Sequence, residues 1–216
     1  MVKNCQLEVI EAIRIMEAGS TEPVLCKCDD GHLYVVKTTA SVPRKQLIHE
    51  LLASGLDKSI GLPTPDFFVV YIPDDLVSYL PPNLRGKLSL GYAFASLFIP
   101  DAACISFKGA HEVIDLKKQK EIYLFDRIIN NSDRNLSEIG GNVNIIYNIK
   151  KQSYYLIDHN LAFDASCTLP QFECHVFSPS HRAWTYDMVD SILVEDIIEH
   201  LNEKCSELLL TIPSGG

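Results

Sequence analysis

Four charged residues have the types and the chain order that phosphoryl transfer requires: Lys37, Glu50, Asp133 and Asp158. This reaction needs a cation on the ATP phosphates, an anion that holds the cation, a carboxylate at the acceptor hydroxyl and oxygen ligands for magnesium. Lys37 can supply the cation, and Glu50 can be its ion-pair partner. These residues therefore suggest a site that binds ATP and Mg²⁺.

Both aspartates follow apolar segments of the sequence. Asp133 lies in a polar loop after a hydrophobic helix, where a carboxylate can orient a hydroxyl group and accept its proton. Asp158 follows residues 155–157, and a carboxylate at the end of a buried strand requires a partner, for which magnesium is suited. An ion pair with Arg134 or His159 is the alternative for Asp158.

Two further groups of residues suit the same chemistry. Asn142 and Asn144 precede an apolar strand, and their side-chain amide oxygens are hard ligands for the same magnesium ion. Gly19, Ser20 and Thr21 form a turn whose backbone N–H groups can cover phosphates. Taken alone, each candidate also has an ordinary explanation as a strand-end lysine, a solvated helix glutamate or a turn residue. Their joint order along the chain favours the functional explanation.

A β-hairpin is expected to position Lys37. Residues 24–28 and 33–38 are rich in β-branched and aromatic side chains, and Asp29-Asp30-Gly31 between them is a strong hairpin signal. Because side chains alternate along a strand, Val35 and Lys37 share one face of the predicted sheet. The hairpin therefore directs the lysine amine into a cleft.

A helix is expected to position Glu50. Apolar residues recur at helical spacing over 44–60, which predicts an amphipathic helix that ends at Gly61. The other predicted elements are a strand-like segment at 6–16, strands at 66–71, 92–99, 144–147 and 154–157, an irregular connection at 73–91, a helix at 117–130 and one or two helices at 186–210.

Composition restricts the partners and the compartment. The net charge of -9 and the scattered basic residues disfavour nucleic acid. Seven cysteines without a secretory signal favour reduced thiols. No apolar run approaches the ~20 residues that cross a bilayer. We therefore expect a cytoplasmic protein without a membrane partner.

Four sequence segments resemble the HipA-like kinase family, in particular its compact members. The stretch 29–37, DDGHLYVVK, looks like the strand with the ATP lysine in that family, and 49–65 is similar to its glutamate helix and Gly-Leu-Pro-x-Pro exit. The segments 131–134, NSDR, and 156–159, LIDH, match its catalytic-loop and metal-aspartate motifs. The resemblance spans residues 17–164.

The resemblance implies an α+β, two-lobed protein-kinase-like fold with ATP in the cleft. Residues 1–99 would form an N-lobe, an antiparallel sheet with one main helix, and residues 100–216 a reduced, mostly helical C-lobe. The adenine would lie against the boundary segment that contains Phe98 and Ile99. Short length also suggests an acceptor site that is open or completed by a partner protein.

The family pattern also implies roles for the candidate residues. Lys37 would contact the phosphates, Asp133 would be the catalytic base and Asp158 the principal magnesium ligand. The family's second metal ligand is an asparagine shortly after the base, but Glu138 occupies that position here. Asn144 is therefore the preferred ligand, ahead of Asn142.

Three functions agree with these features. The first is transfer of the ATP γ-phosphoryl group to a hydroxyl, with Ser or Thr of a protein as the acceptor. The second is a catalytically weak pseudokinase that binds nucleotide or a partner, because the loop after Asp133 is lengthened. The third is a small-molecule kinase. A fold class does not choose among them.

Overall fold

A computed structural model describes residues 7–16, 21–136, 142–181, 185, 188–210 and 212–213 of the 216-residue chain. These residues divide into two compact units. The sheet unit comprises the residues up to Leu51 together with Pro65–Ile99 and Pro213, and the helical unit comprises Leu52–Thr64 and Pro100–Ile212. The sequence-based domains, 1–99 and 100–216, stay a prediction.

The sheet unit is built on five antiparallel strands in the order β1-β2-β3-β5-β4. The strands are β1 (Val9–Ile15), β2 (Val24–Cys28), β3 (Leu33–Lys37), β4 (Phe67–Ile72) and β5 (Gly91–Leu97). The predicted hairpin is confirmed, since Gly31 closes its turn with φ of +83° and donates its N–H to the carbonyl of Cys28.

The two faces of this sheet have different surroundings. One face forms an apolar cluster with residues 76–88, and its buried members include Val24, Cys26, Tyr34 and Val36. The opposite face carries Lys37, because the strand register places Lys37 beside Phe94 and alternates it with Val36. The apolar cluster therefore anchors the strands, and the lysine lies on the face away from it.

Helix α1 (Arg44–Ser59) carries Glu50 and ends where the sequence predicts. Gly61 has φ of +76°, the N–H of Gly61 donates to the carbonyl of Lys58, and the N–H of Leu62 donates to the carbonyl of Asp57. This left-handed glycine terminates the helix and satisfies its last carbonyls. The predicted helix over 44–60 is confirmed.

The connection over 73–91 is not wholly irregular, so that prediction is wrong in part. Helix α2 (Asp74–Ser78) begins directly after Pro73, and Leu80, Leu84 and Leu88 of the following turns are buried against the sheet. The leucines recur every four residues, a helical spacing that the surrounding proline and glycine residues obscured.

The helical unit contains the second half of α1, three further helices and a small antiparallel sheet of order β6-β7-β8. Its elements are β6 (Ala102–Cys104), α3 (Phe107–Val113), α4 (Leu116–Ile128), β7 (Ile145–Asn148), β8 (Ser153–Leu156) and α5 (Met188–Leu209). Short 3₁₀ helices cover Leu169–Cys174 and Pro179–His181. Buried side chains of α4, β7 and β8 share one core, among them Ile122, Phe125, Ile145 and Leu156.

Apart from the two 3₁₀ helices, two elements of the helical unit were not predicted. Strand β6 has only three residues, and it forms by pairing Ala103 with Tyr147 in β7. Helix α3 is capped by Ser106, whose hydroxyl accepts the N–H of Gly109. Both elements are too short for a hydrophobic period, so tertiary contacts and a cap define them.

None of the described helices is both long enough and apolar enough to span a bilayer. Six cysteines lie in the described residues, and all six are free thiols. Cys26 and Cys28 are buried on the apolar face of the sheet, and burial is the main cause that raises the pKa of each thiol to about 12.

Candidate active site

In the sheet unit, Lys37 and Glu50 form a buried ion pair. The Nζ atom of Lys37 lies 2.9 Å from Oε1 and 2.6 Å from Oε2 of Glu50. The residues are 6% and 3% exposed, so neither is a surface group. A buried pair of this kind is weak evidence for stability, because desolvation offsets the attraction. What the pair provides is an ammonium group held at one position.

Two apolar side chains and a serine share the sheet face that carries Lys37. The strand register places Leu25 opposite Val35 and Val35 opposite Ser96, so these three side chains share the sheet face of Lys37. Sequence reasoning placed Val35 on this face and missed Leu25. The hairpin register could have found Leu25, since it pairs the residues on either side of the Asp29–Gly31 turn.

Apart from Lys37, the structure describes three of the five residues that are proposed to contact the adenine or the phosphates. Phe98 and Ile99 are half-buried and directly follow β5, and the N–H of Phe98 donates to the carbonyl of Leu33. Thr21 is a half-buried turn residue. Gly19 and Ser20 lie outside the described residues. The nucleotide contacts of all five stay predictions.

In the helical unit, Asp133 lies in a tightly bonded loop. The side chain of Asn131 is buried, its Nδ2 donates to Oδ1 of Asp126 at 2.7 Å, and its Oδ1 accepts the N–H of Asp133 at 3.2 Å. The N–H of Leu161 donates to Oδ2 of Asp133 at 2.9 Å. These bonds hold a half-buried carboxylate at a defined place.

Asn144 is placed so that its amide oxygen suits a cation. Its Nδ2 donates to the carbonyl of Asp133 at 2.9 Å, and the residue is 4% exposed. Its Oδ1 is buried and accepts no hydrogen bond from any described residue. Asn142 differs, since it is exposed and its Oδ1 accepts the N–H of Asn144 at 3.1 Å. A buried, unsatisfied oxygen is costly, and a bound cation would satisfy it.

A backbone hydrogen bond joins Asn144 to the residue that precedes Asp158. The N–H of Ile157, the residue before Asp158, donates to the carbonyl of Asn144 at 3.0 Å. Asn144 and Asp158 both adopt left-handed backbone conformations, with φ of 51° and 61°. Such strain at non-glycine residues concentrates at functional sites.

The burial expected for Asp158 is wrong. Strand β8 ends at Leu156, and Asp158 is half-buried two residues later, because only the Leu156 end of the strand enters the core. Its negative charge still reaches the neighbouring Cys104, where burial first and Asp158 second raise the pKa of the thiol. Asp158 is therefore partly exposed to solvent, and it still lies near Cys104 of β6.

The candidate metal ligands are one carboxylate and one side-chain amide. Within the described ranges, no three His, Cys, Asp or Glu side chains form a cluster that could hold a metal ion. A site from the Asp158 carboxylate and the Asn144 amide contains only oxygen donors from the protein. Oxygen donors with remaining positions for water or phosphate are what Mg²⁺ prefers.

Sequence reasoning missed a buried charged network in the helical unit. Nη1 of Arg134 donates to both carboxylate oxygens of Asp126, at 2.8 and 3.0 Å, and both residues are completely buried. Nε2 of His175 lies 3.0 Å from Oδ2 of Asp126, while its Nδ1 accepts the N–H of Phe177. His175 is therefore a neutral ring that donates from Nε2 to Asp126.

The pKa values of two network groups shift with their surroundings. Burial alone would raise the pKa of Asp126, but the Arg134 charge and the hydrogen bond from His175 outweigh burial and lower it. Burial lowers the pKa of His175, and the nearby Asp126 only partly offsets this effect. At neutral pH the ion pair is thus charged and the imidazole is not.

The network continues from Arg134 to helix α1. Nη2 of Arg134 lies 2.9 Å from Nε2 of His159, and the same ring nitrogen lies 3.1 Å from Oδ2 of Asp57. The hydroxyl of Thr64 donates to this Asp57 oxygen at 2.5 Å. Arg134, considered above as an ion-pair partner of Asp158, therefore makes its bidentate contact with Asp126.

A comparison with known protein families gives a match that covers nearly the whole sequence. The profile of the HipA-like kinase family matches residues 9–215. The chain belongs to the HipA-like kinase family. This membership confirms the resemblance seen in the four sequence segments. No curated protein matches the chain.

Two of the solved structures that are similar to the chain are kinases. The Helicobacter pylori proinflammatory kinase CtkA aligns with a TM-score of 0.45 and 10% identity, over 90% of this chain and 66% of its own. The Golgi casein kinase, crystallised with Mn and ADP bound, aligns with a TM-score of 0.50 and 11% identity, over 94% of this chain and 65% of its own.

At these identities the likeness concerns the fold alone. The predicted α+β, protein-kinase-like fold is confirmed, with its antiparallel sheet and its small number of helices. The chain spans about two thirds of the length of both solved kinases.

Proposed function

We propose that this chain is an ATP- and Mg²⁺-dependent kinase that transfers the γ-phosphoryl group to a Ser or Thr hydroxyl of a protein. The observation that carries the proposal is the buried ion pair between Lys37 and Glu50. The desolvation of the two charges offsets most of the stability that the pair could add. Phosphoryl transfer, in contrast, uses such a pair to fix a cation for the phosphates. Membership of the HipA-like kinase family supports the same activity.

The oxygen donors of the helical unit fit a magnesium ion. The decisive feature is the buried Oδ1 of Asn144, which no described residue satisfies. Asp158 and Asn144 would hold the ion, and Asn142 would not, because its oxygen already accepts a hydrogen bond. When bound, the ion would neutralise charge on the phosphate oxygens of the nucleotide.

The residues of the chain have separate tasks in this proposal. Lys37 binds phosphate oxygens, and Glu50 keeps its ammonium group in place. Asp133 orients the acceptor hydroxyl and accepts its proton, with one carboxylate oxygen fixed by the N–H of Leu161. Leu25 and Val35 offer an apolar surface to the nucleotide base.

A phosphate-transfer assay tests this function. Wild-type protein is incubated with Mg²⁺, γ-labelled ATP and two acceptor panels, one of proteins and one of small-molecule alcohols. We expect label on Ser or Thr of protein acceptors, and a loss of about 100-fold or more in Asp133→Asn, because general-base catalysis contributes about 10²–10⁴-fold. Asp196→Asn, at an exposed position on α5, is the matched control.

Each outcome separates one function from another. Label on alcohols alone would contradict the protein acceptor and favour a small-molecule kinase. ATP binding without transfer above the Asp133→Asn background would contradict catalysis and favour a pseudokinase. A transfer rate that survives in Asn144→Ala but not in Asn142→Ala would contradict the assignment of the metal ligand.

A further inference from the structure

Arg134 and His159 occupy corresponding positions beside two proposed active-site residues. Arg134 directly follows Asp133, and His159 directly follows Asp158. Their side chains meet, with Nη2 of Arg134 2.9 Å from Nε2 of His159. Both are buried, at 0% and 1% exposure, so neither can reach a nucleotide or an acceptor.

Each member of this pair is fixed by an acidic residue on a helix. Arg134 donates to both oxygens of Asp126, on α4, and His159 lies 3.1 Å from Asp57, on α1. Both aspartates are completely buried. Helices are rigid elements, and the charge-assisted bonds from Arg134 to Asp126 are about twice as strong as neutral ones. Nε2 of His159 either accepts from Arg134 or donates to Asp57, because one ring nitrogen cannot do both.

Direct hydrogen bonds join the loops above this pair. The N–H of Leu161 donates to the carboxylate of Asp133, and Nδ2 of Asn144 donates to the Asp133 carbonyl. The N–H of Ile157 donates to the carbonyl of Asn144. A shift of either Arg134 or His159 would therefore move groups on both loops.

We propose that Arg134 and His159 are positioning residues, which fix the loop of Asp133 against the loop of Asp158 through the buried chain Asp126–Arg134–His159–Asp57. This inference rests on the proposed kinase function. In this proposal, Arg134 and His159 affect the rate of phosphate transfer and do not affect the affinity for the nucleotide. A displacement of about 1 Å in a reacting group can reduce a rate about 100-fold.

The competing explanation is that Arg134 and His159 only stabilise the fold, and this explanation predicts a different result. Buried ion pairs are often no more stabilising than apolar residues of similar volume. A purely structural network would change the melting temperature and leave kcat intact in the folded protein. The test must therefore separate kcat, KM and stability.

Three substitutions probe the pair. Arg134→Lys keeps the charge but cannot contact Asp126 and His159 together. His159→Leu removes the ring nitrogens, whereas His159→Gln keeps an amide that can accept from Arg134 and donate to Asp57. Leu201→Ala, in the core on α5, destabilises the same unit away from the network and serves as the control.

Kinetics with γ-labelled ATP well below the melting temperature give the first result. We expect Arg134→Lys and His159→Leu to lose about 10- to 100-fold in kcat, with KM for ATP within about threefold of wild type. His159→Gln should recover most of the loss. Leu201→Ala should melt earlier and keep its kcat.

Amide hydrogen exchange gives a second result that needs no activity. The amides of Ile157 and Leu161 should exchange at least about tenfold faster in Arg134→Lys and His159→Leu, because loosened loops open more often. Leu201→Ala should leave these two amides unchanged.

The outcomes distinguish this inference from the proposed function. Wild-type kcat and unchanged loop exchange in Arg134→Lys and His159→Leu would overturn the inference and leave the kinase function intact. Wild-type protein without ATP binding or transfer would overturn the kinase function, and the inference with it. Slow transfer with rescue by His159→Gln would support both.

Discussion

At the residue scale, substitutions in the Lys37–Glu50 pair can distinguish a role in function from a role in stability. Removing one partner of a buried ion pair leaves an uncompensated charge and costs about 3–5 kcal/mol. We therefore expect Glu50→Leu to lower the free energy of unfolding in urea by that amount. The double variant Lys37→Met/Glu50→Leu should return close to wild-type stability, yet show no phosphate transfer.

The exposed pair Lys150–Asp101 is the matched control for this experiment. Its atoms are 2.9 Å apart, as in the buried pair, but the side chains are 75% and 52% exposed. Lys150→Ala should cost less than about 1 kcal/mol. A double variant as unstable as Glu50→Leu, or one that retains transfer, would contradict the role assigned to the buried pair.

His175 makes the stability of the protein depend on pH. Burial lowers the pKa of this imidazole in the folded protein, whereas in the unfolded chain it titrates near 6.5. The unfolded chain thus binds more protons below pH 6.5. The free energy of unfolding should fall as the pH drops below that value, by up to about 1.4 kcal/mol per pH unit for this group.

His175→Gln should remove this part of the pH dependence. Chemical denaturation between pH 5 and 7.5 measures it, because the midpoint can be followed at each pH. The neighbouring buried residue gives the control, since Val176→Ala should lower stability at every pH and keep the wild-type slope. An unchanged slope in His175→Gln would show that another group is responsible.

The sequence revealed the candidate site through residue types and their order. It placed Lys37, Glu50, Asp133 and Asp158 as candidates, since each follows or lies on a recognisable element. It did not reveal the Asp126–Arg134 pair, because an acidic residue inside an amphipathic helix looks like an ordinary solvated position. Only the fold brings Asp126 beside a loop eight residues further along the chain.

At the element scale, Leu208 of α5 approaches α1 closely at Gly55. A Cβ atom at this position would lie 2.5 Å from Cδ2 of Leu208. Gly55→Ala should therefore lower the melting temperature, despite the higher helix propensity of alanine. The double variant Gly55→Ala/Leu208→Ala should be more stable than Gly55→Ala alone, because the smaller side chain makes room.

The same substitution elsewhere gives the opposite expectation. Gly109 lies in α3, and its added Cβ would meet neighbours at ordinary distances of 3.5 Å. Gly109→Ala should therefore raise stability by about 0.5–1 kcal/mol. Equal melting temperatures for Gly55→Ala and Gly109→Ala would contradict the lack of space for a Cβ atom between Gly55 and Leu208.

Long, periodic elements could be predicted, and short ones could not. The hairpin, α1, α4 and α5 carry strong turn, capping or periodic signals, and the structure contains each of them. Elements α2, α3 and β6 have three to seven residues, and packing or strand pairing defines them. Tertiary contacts of this kind leave no period in the sequence.

At the scale of the whole molecule, an acidic protein is proposed to bind an anionic nucleotide. With a net charge of -9, long-range attraction cannot draw ATP to the surface. In the proposed function, affinity comes from local cations, namely Lys37 and a metal ion that Asp158 and Asn144 would hold. Nucleotide binding should therefore require both Lys37 and a divalent cation.

Thermal-shift titration with ATP tests the central claim most directly. Wild type is compared with Lys37→Ala and Asp158→Ala, with and without Mg²⁺, and the controls are Lys151→Ala and Asp196→Ala at exposed positions. At 100 times the dissociation constant, ATP with Mg²⁺ should stabilise wild type and both controls by about 2.7 kcal/mol.

The two site variants should show little of this stabilisation, and omission of Mg²⁺ should reduce it in wild type. That result would mean that Lys37 and Asp158 both contribute to nucleotide binding. Equal shifts in all five proteins, or no shift in wild type, would contradict the account.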